Sequence, residues 1–198
     1  MNEKTFALAL LLVLSISFAY TYTLKLQKGW NLIGLPFPSG TLPSDSECIV
    51  PKIWGYYDGN YVESDLRTSV MGFNYAGFFV YAKDKCTVVA SESQSENYYG
   101  VPLSTENLDY IWERGGGALN FAKGWNFVAG FTDSPDVNDV KGGCTITNGP
   151  YYYDTFSNSW VQSDTLSEGK GYVIKVEDSC KFGFDVVAPI PPLPEMPE

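Results

Sequence analysis

The sequence predicts an all-β fold made of two tandem homologous modules, each a small β-sandwich or β-barrel closed by one internal disulfide. Three observations carry this. Lys28-Gly29-Trp30-Asn31-Leu32-Ile33 recurs as Lys123-Gly124-Trp125-Asn126-Phe127-Val128. The paired tyrosines, the closing Gly-aromatic strand and both cysteines then recur in the same order: Tyr56-Tyr57-Asp58 with Tyr152-Tyr153-Asp154, Gly77-Phe78-Phe79-Val80 with Gly171-Tyr172-Val173-Ile174, Cys48 with Cys144 and Cys86 with Cys180. Apolar residues also alternate with period two at matched positions, as a core-facing strand requires. Where the spacing between copies changes, it changes in stretches that read as loops, where insertions are tolerated.

Taken in order, residues 1–19 read as a secretory signal peptide. Lys4 precedes an apolar run from Phe6 to Leu14, and Ser17 and Ala19 place small side chains before a cut ahead of Tyr20. The run is shorter than the roughly 20 residues that span a bilayer, so the expectation is a chain without a transmembrane anchor after cleavage, located outside the cell or on its surface. Module 1 is assigned to residues 20–91. Tyr22 to Leu26 and Trp30 to Leu35 flank the Gln27-Lys28-Gly29 turn and predict a hairpin. A third strand runs from Glu47 to Tyr57, and the two-residue Asp58-Gly59 turn leads into a fourth, Asn60 to Glu63. The fifth and sixth strands meet at Lys83-Asp84-Lys85, with Phe78, Val80 and Ala82, then Cys86, Val88 and Ala90, on one side.

Residues 92–118 form a linker whose aromatics, Tyr98, Tyr99, Tyr110 and Trp112, predict that part of it packs on the modules. Leu103 to Arg114 is its one short stretch with a helical pattern. Module 2 occupies residues 119–186, with Tyr172, Ile174 and Val176, then Cys180, Phe182 and Phe184, on the corresponding side. Residues 187–198 are a Pro-rich tail. Its core, Ala188-Pro189-Ile190-Pro191-Pro192-Leu193-Pro194, favours an extended polyproline conformation and cannot join a central strand.

Four cysteines allow three connectivities. The repeat selects among them: a module stable before duplication had to close its own bridge, giving Cys48 to Cys86 and Cys144 to Cys180. A domain of this size is marginal on its own core, so such a bridge matters.

Composition narrows the function classes. The 198-residue chain has a net charge of −10, from 13 Lys and Arg against 23 Asp and Glu, and so lacks the clustered basic residues of phosphate binding; nucleic acid is not an expected partner. There is no histidine, the residue most used for acid-base work near neutral pH and for zinc. Catalysis would rest on carboxylates such as Asp58, Glu63, Asp65, Asp154 and Asp164, but these sit in or beside expected turns, where Asp bonds the local backbone. The acidic run Asp133 to Asp139 lacks the spacing and bidentate glutamate of an EF-hand loop. The chain is accordingly read as a non-enzyme without metal or cofactor.

Aromatic side chains make up 16% of the chain and are its strongest functional material. Strand alternation sends neighbouring rings to opposite faces, so Tyr56 and Tyr57 cannot both point inward unless a bulge intervenes. Tyr57, Tyr61, Tyr151, Tyr153 and Trp160 are the candidate ligand-binding residues, with the longer second hairpin the favoured site. The expected role is structural or adhesive, through contacts with other surface proteins or by self-assembly; the alternative is a carbohydrate-binding module pair.

The Lys-Gly-Trp-Asn-aliphatic opening, the paired-aromatic strand and the closing Gly169-Lys170-Gly171-Tyr172 resemble repeat modules of bacterial and archaeal secreted and cell-surface proteins. Gly29 to Pro36 matches the typical opening of that group closely. The chain departs from it at Met71 to Gly77, where the closing motif is stretched, and at Ala129-Gly130-Phe131, where the proline is missing. The resemblance implies location and architecture more than chemistry.

Overall fold

A computed structural model of the chain describes residues 21–36, 40–42, 47–57, 60–65, 75–92, 101–113 and 119–183. Residues 1–19, expected above to be a signal peptide, the expected turn at Asp58-Gly59, most of the stretch from Met71 to Gly77, Tyr98, Tyr99 and the Pro-rich tail lie outside these residues. Module 1 contains β1 (Thr21–Leu26), β2 (Gly29–Gly34), β3 (Gly40–Thr41), β4 (Ile49–Tyr57), β5 (Asn60–Asp65), β6 (Gly77–Ala82) and β7 (Cys86–Glu92). Module 2 contains β8 (Asn120–Phe121), β9 (Gly124–Ala129), β10 (Ile146–Asp154), β11 (Ser159–Gln162), β12 (Gly171–Val176) and β13 (Cys180–Lys181).

Each module is a two-layer β-structure. A four-stranded antiparallel sheet, β2-β6-β4-β5 in the first copy and β9-β12-β10-β11 in the second, uses corresponding strands in the same order. A smaller sheet covers it, β1-β7-β3 in one copy and β8-β13 in the other. The core of module 1 lies between its layers and includes Leu24, Leu26, Ile33, Ile53, Phe78, Val80 and Val88. In module 2 the same space holds Leu119, Phe121, Val128, Tyr172, Ile174 and Phe182. The apolar alternation of β6 and β12 is thus the inward face of the large sheet. The disulfides join Cys48 to Cys86 and Cys144 to Cys180, each within its own module.

The structure corrects the expected hairpin at Gln27-Lys28-Gly29. β1 pairs with β7 and β2 with β6, so the chain turns a corner from the small sheet to the large one instead of folding back on itself. The repeated motif explains the corner. Gly29 and Gly124 have φ of 103° and 102°, a left-handed region that disfavours any side chain. Two residues on, Asn31 accepts from Gln27 N at 3.0 Å and donates Nδ2 to the carbonyls of Gln27 and Gly29. Asn126 repeats all three bonds with Ala122 and Gly124. Backbone groups that leave one ladder before joining the next are thereby satisfied by one side chain.

The segment between modules contributes to the second core. A 3-10 turn, Thr105–Asn107, leads into α1 (Leu108–Glu113), and Leu103, Leu108 and Ile111 are buried with Phe121 and Phe182. Tyr75, which precedes β6, joins the same cluster; its carbonyl accepts from Ala129 N and its hydroxyl donates to Val101 O. In the acidic run, Asp136 caps the four-residue α2 (Val137–Val140) by accepting from Asn138 N, and Asp133 accepts from the backbone and hydroxyl of Thr105.

Candidate functional site: aromatic clefts between the modules

The outward faces of the two large sheets meet each other. β2 lies over β12 and β10, while its counterpart β9 lies over β6 and β4, so the modules are related by a local near two-fold. Glycine permits the approach. A Cβ at Gly34 would come within 2.5 Å of Ala129 Cα, and one at Gly171 within 2.6 Å of the Ile33 carbonyl oxygen. Polar contacts join the halves as well: Gly34 N donates to Gly169 O, Tyr22 Oη to Glu168 O at 3.1 Å, and Thr155 Oγ1 to Trp30 O at 2.7 Å. Leu32, Phe127 and Val173 are buried in this seam, with Tyr56, Phe79, Tyr151 and Tyr153 half-buried against them.

Beyond the glycines the faces diverge, leaving two clefts related by the same near two-fold. The first, about 400 Å³, is lined by Trp30, Trp54, Tyr61, Phe79 and Tyr153. The second, about 530 Å³, is lined by Tyr56, Tyr61, Trp125, Phe127, Tyr151 and Trp160, with Val173 at its floor and Asn148 beside Tyr151. Each cleft takes rings from both modules. Tyr56 stacks on Phe127 with centroids 5.2 Å apart, and Phe79 meets Tyr153 edge-on at 6.0 Å. Most neighbours are set edge to face: Trp30 against Trp54 at 4.7 Å and 80°, Trp30 against Tyr81 at 5.2 Å, Tyr153 against Trp160 at 5.4 Å. Such pairs hold each other in place beyond their shared burial.

Four of the five candidate residues come together here. Tyr61, at 62% exposed, and Trp160, at 46%, remain open to a ligand, while Tyr151 and Tyr153 are packed in the seam. Tyr57 closes β4 opposite Asn60. Sequence matching placed Tyr56 with Tyr152; sheet register instead pairs Trp54 with Phe79 and Tyr151 with Val173. Tyr151 therefore occupies the place of Trp54, and Tyr153 that of Tyr56. The one-residue slip precedes the strand: Ile49 and Ile146 already hold corresponding places opposite Ala82 and Val176, so the extra residue of the second copy lies between Cys144 and Ile146, while β4 and β10 share the irregularity that follows. Tyr152 points into its own core beside Tyr172.

The rims of the clefts differ. At the Trp30 cleft, Trp54 Nε1 and Lys52 Nζ both donate to Glu63, and the Lys52 bond is the main cause holding that carboxyl below its ordinary pKa. At the Trp125 cleft, Lys175 Nζ lies 5.9 Å from the Trp125 ring centroid. Asp154 is engaged locally, accepting from Ser157 Oγ and from the backbone of Phe156 and Ser157, and its pKa is likewise lowered, chiefly by the serine hydroxyl. Trp30, Trp54, Phe79, Trp125 and Phe127 escaped the sequence reading as site residues because they belong to strands whose inward neighbours explain the repeat. The available signal was the tryptophan in both copies of the Gly-Trp-Asn motif, since only its glycine and asparagine build the corner.

Among the described residues no helix is long and apolar enough to cross a membrane. Two disulfides are the mark of an oxidising compartment. No protein family, curated protein or solved structure matches the chain.

Proposed function

We propose that this is an exported structural or adhesive surface protein that binds extended polypeptide segments in the clefts between its modules. The observation that carries the reading is a pair of aromatic-lined clefts whose rings come from both modules and whose outer members stay exposed. Apolar concavities with a few convergent polar groups are the usual form of a binding site, and exposed Trp and Tyr in well-packed surroundings are the side chains that dominate protein recognition. The edge-to-face order leaves ridges and slots suited to a narrow chain rather than one flat platform for a sugar ring. The role is binding, not catalysis, a reading supported by Glu63 being held by Lys52 and Asp154 by its own turn.

A carbohydrate remains the second reading because Trp160 exposes a ring beside a polar rim, where Tyr151 Oη donates to Asn148 Oδ1 at 2.6 Å. Selection of a displayed random-peptide library on the disulfide-intact protein, run beside a glycan array, separates the two. Expected are extended apolar peptides that bind saturably, change tryptophan emission and lose affinity on Tyr61→Ala or Trp160→Ala. Glycan binding that depends on Trp160, with no peptide selected, would overturn the polypeptide reading.

A further inference from the structure

We propose that the Trp125 cleft receives the Pro-rich segment 189–194 of a second copy of this chain, bound as a polyproline II helix. This rests on the reading of the clefts as sites for extended polypeptide and names the ligand.

The fit is chemical first. Polyproline II segments dock on grooves lined by aromatic rings, because the helix is preformed and loses little entropy on binding. With three residues per turn, Pro189 and Pro192 share one face of the helix, Pro191 and Pro194 a second, and Ile190 and Leu193 the third. Every face of this segment is therefore apolar. A polyproline II backbone leaves its carbonyls free, and the cleft offers donors: no hydrogen bond among the described residues engages the indole N–H of Trp125 or Trp160. Charge selects between the two clefts. Glu195 follows the prolines directly and Glu198 lies close behind. The Trp125 cleft carries at its edge Lys175, which makes no ion pair among the described residues, whereas at the Trp30 cleft Lys52 is already held by Glu63 and offers no free charge.

Connectivity selects a second copy. Cys180 and Lys181 pair with Phe121 and Asn120, and Phe182 N donates to Leu119 O, so the chain at Gly183 is heading away from the corner at Gly124. Returning to the level of Trp125 means retracing about six residues of strand, roughly 20 Å at 3.3 Å each, and then crossing to the far face of the large sheet, about 10 Å more. The six steps from Gly183 to Pro189 span at most about 22 Å when fully extended, short of that path of roughly 30 Å around the sheet. Pro189 therefore cannot enter the cleft of its own chain, and a neighbouring copy must supply it. A contact between two different surfaces of identical chains is head-to-tail and propagates into open arrays unless the rotation closes a ring.

The test uses the full chain, a truncated chain ending at Val187, and a synthetic peptide covering 188–198. Sedimentation velocity of the full chain should show association that grows with concentration and disappears on truncation. The peptide should bind the truncated chain saturably, shifting tryptophan emission, and Trp125→Ala or Lys175→Glu should each weaken it by about tenfold or more. A peptide with Pro191 and Pro192 replaced by alanine should bind correspondingly less. If the peptide does not bind while library-selected peptides do, the Pro-rich ligand is wrong and the polypeptide reading stands; if neither binds, both fall. A peptide that binds the truncated chain, together with a full chain that stays monomeric and refuses the peptide, would show docking within one chain and overturn the second copy.

Discussion

At the scale of single residues, the asparagine of the Gly-Trp-Asn motif is the clearest case of sequence dictating structure. Asn31 is buried and makes three hydrogen bonds to the backbone on its own corner. Asn31→Ala should destabilise the protein by about 1–3 kcal/mol, because the donors and acceptors it leaves behind lose their partners; urea unfolding measures this. Asn31→Asp should not rescue it near neutral pH, since a carboxylate would face the Gln27 and Gly29 carbonyls. Tyr172 gives a pH prediction. Burial, ahead of the opposing bond from Ser167 N at 2.8 Å, raises its hydroxyl pKa above the ordinary value. The neutral form is thus favoured by folding, so its contribution is complete below about pH 10 and is lost as pH rises past that point. Alkaline denaturation should be shallower in Tyr172→Phe than in the parent once both are compared with their own stability at pH 8. The aromatic candidates were legible as residues and not as a place: alternation says that a ring leaves its own core, but it reads the same whether the far side meets water or another module.

Among the elements, β4, β5, β6 and β12 lie close to where the alternation and the Gly-aromatic matches put them. What the pattern did not carry was which strands pair, because β1 and β2 share a turn and an alternation but belong to different layers; the corner is specified by a backbone conformation and three side-chain bonds, not by hydrophobic period. The hairpins β4-β5 and β10-β11 also differ from the direct alignment by one residue, because the second copy has one extra residue between Cys144 and Ile146, just after a cysteine match that anchors the alignment without showing the insertion. The bridges close loops of 38 and 36 residues. Each should contribute about 4 kcal/mol through loop entropy in the unfolded chain. Reduction should therefore lower the melting temperature markedly in calorimetry, and Cys→Ala pairs made one module at a time should each show part of the loss. A small unaltered shift in both pairs would mean that the layers, not the bridges, hold the modules.

For the whole molecule, the seam between large sheets decides both shape and site. Its closeness depends on Gly34 and Gly171, where a side chain has no room. Gly171→Val should push β12 away from β2, cost stability by more than the ordinary strand preference would explain, and open the seam to protease; limited proteolysis with calorimetry reports both. Trp160→Ala, by contrast, removes an exposed ring and should leave the melting temperature within about a degree or two while weakening ligand binding. Tyr151→Ala should do the reverse in part, since that ring supports the seam, so the pair of substitutions separates binding from packing.

The local near two-fold makes the chain a homodimer written on a single backbone. In a true dimer every substitution appears twice and both pockets must change together. Here a change appears once, and the two clefts have been free to part company: Phe79 and Tyr81 in one half stand where Val173 and Lys175 stand in the other, so one cleft is smaller with a Lys52–Glu63 ion pair at its rim and the other larger with Lys175 beside it. Fusion also replaces a concentration-dependent encounter with a tethered one. Under the proposed binding role, the scaffold offers two specificities at a fixed ratio, which no symmetric assembly of a single module provides.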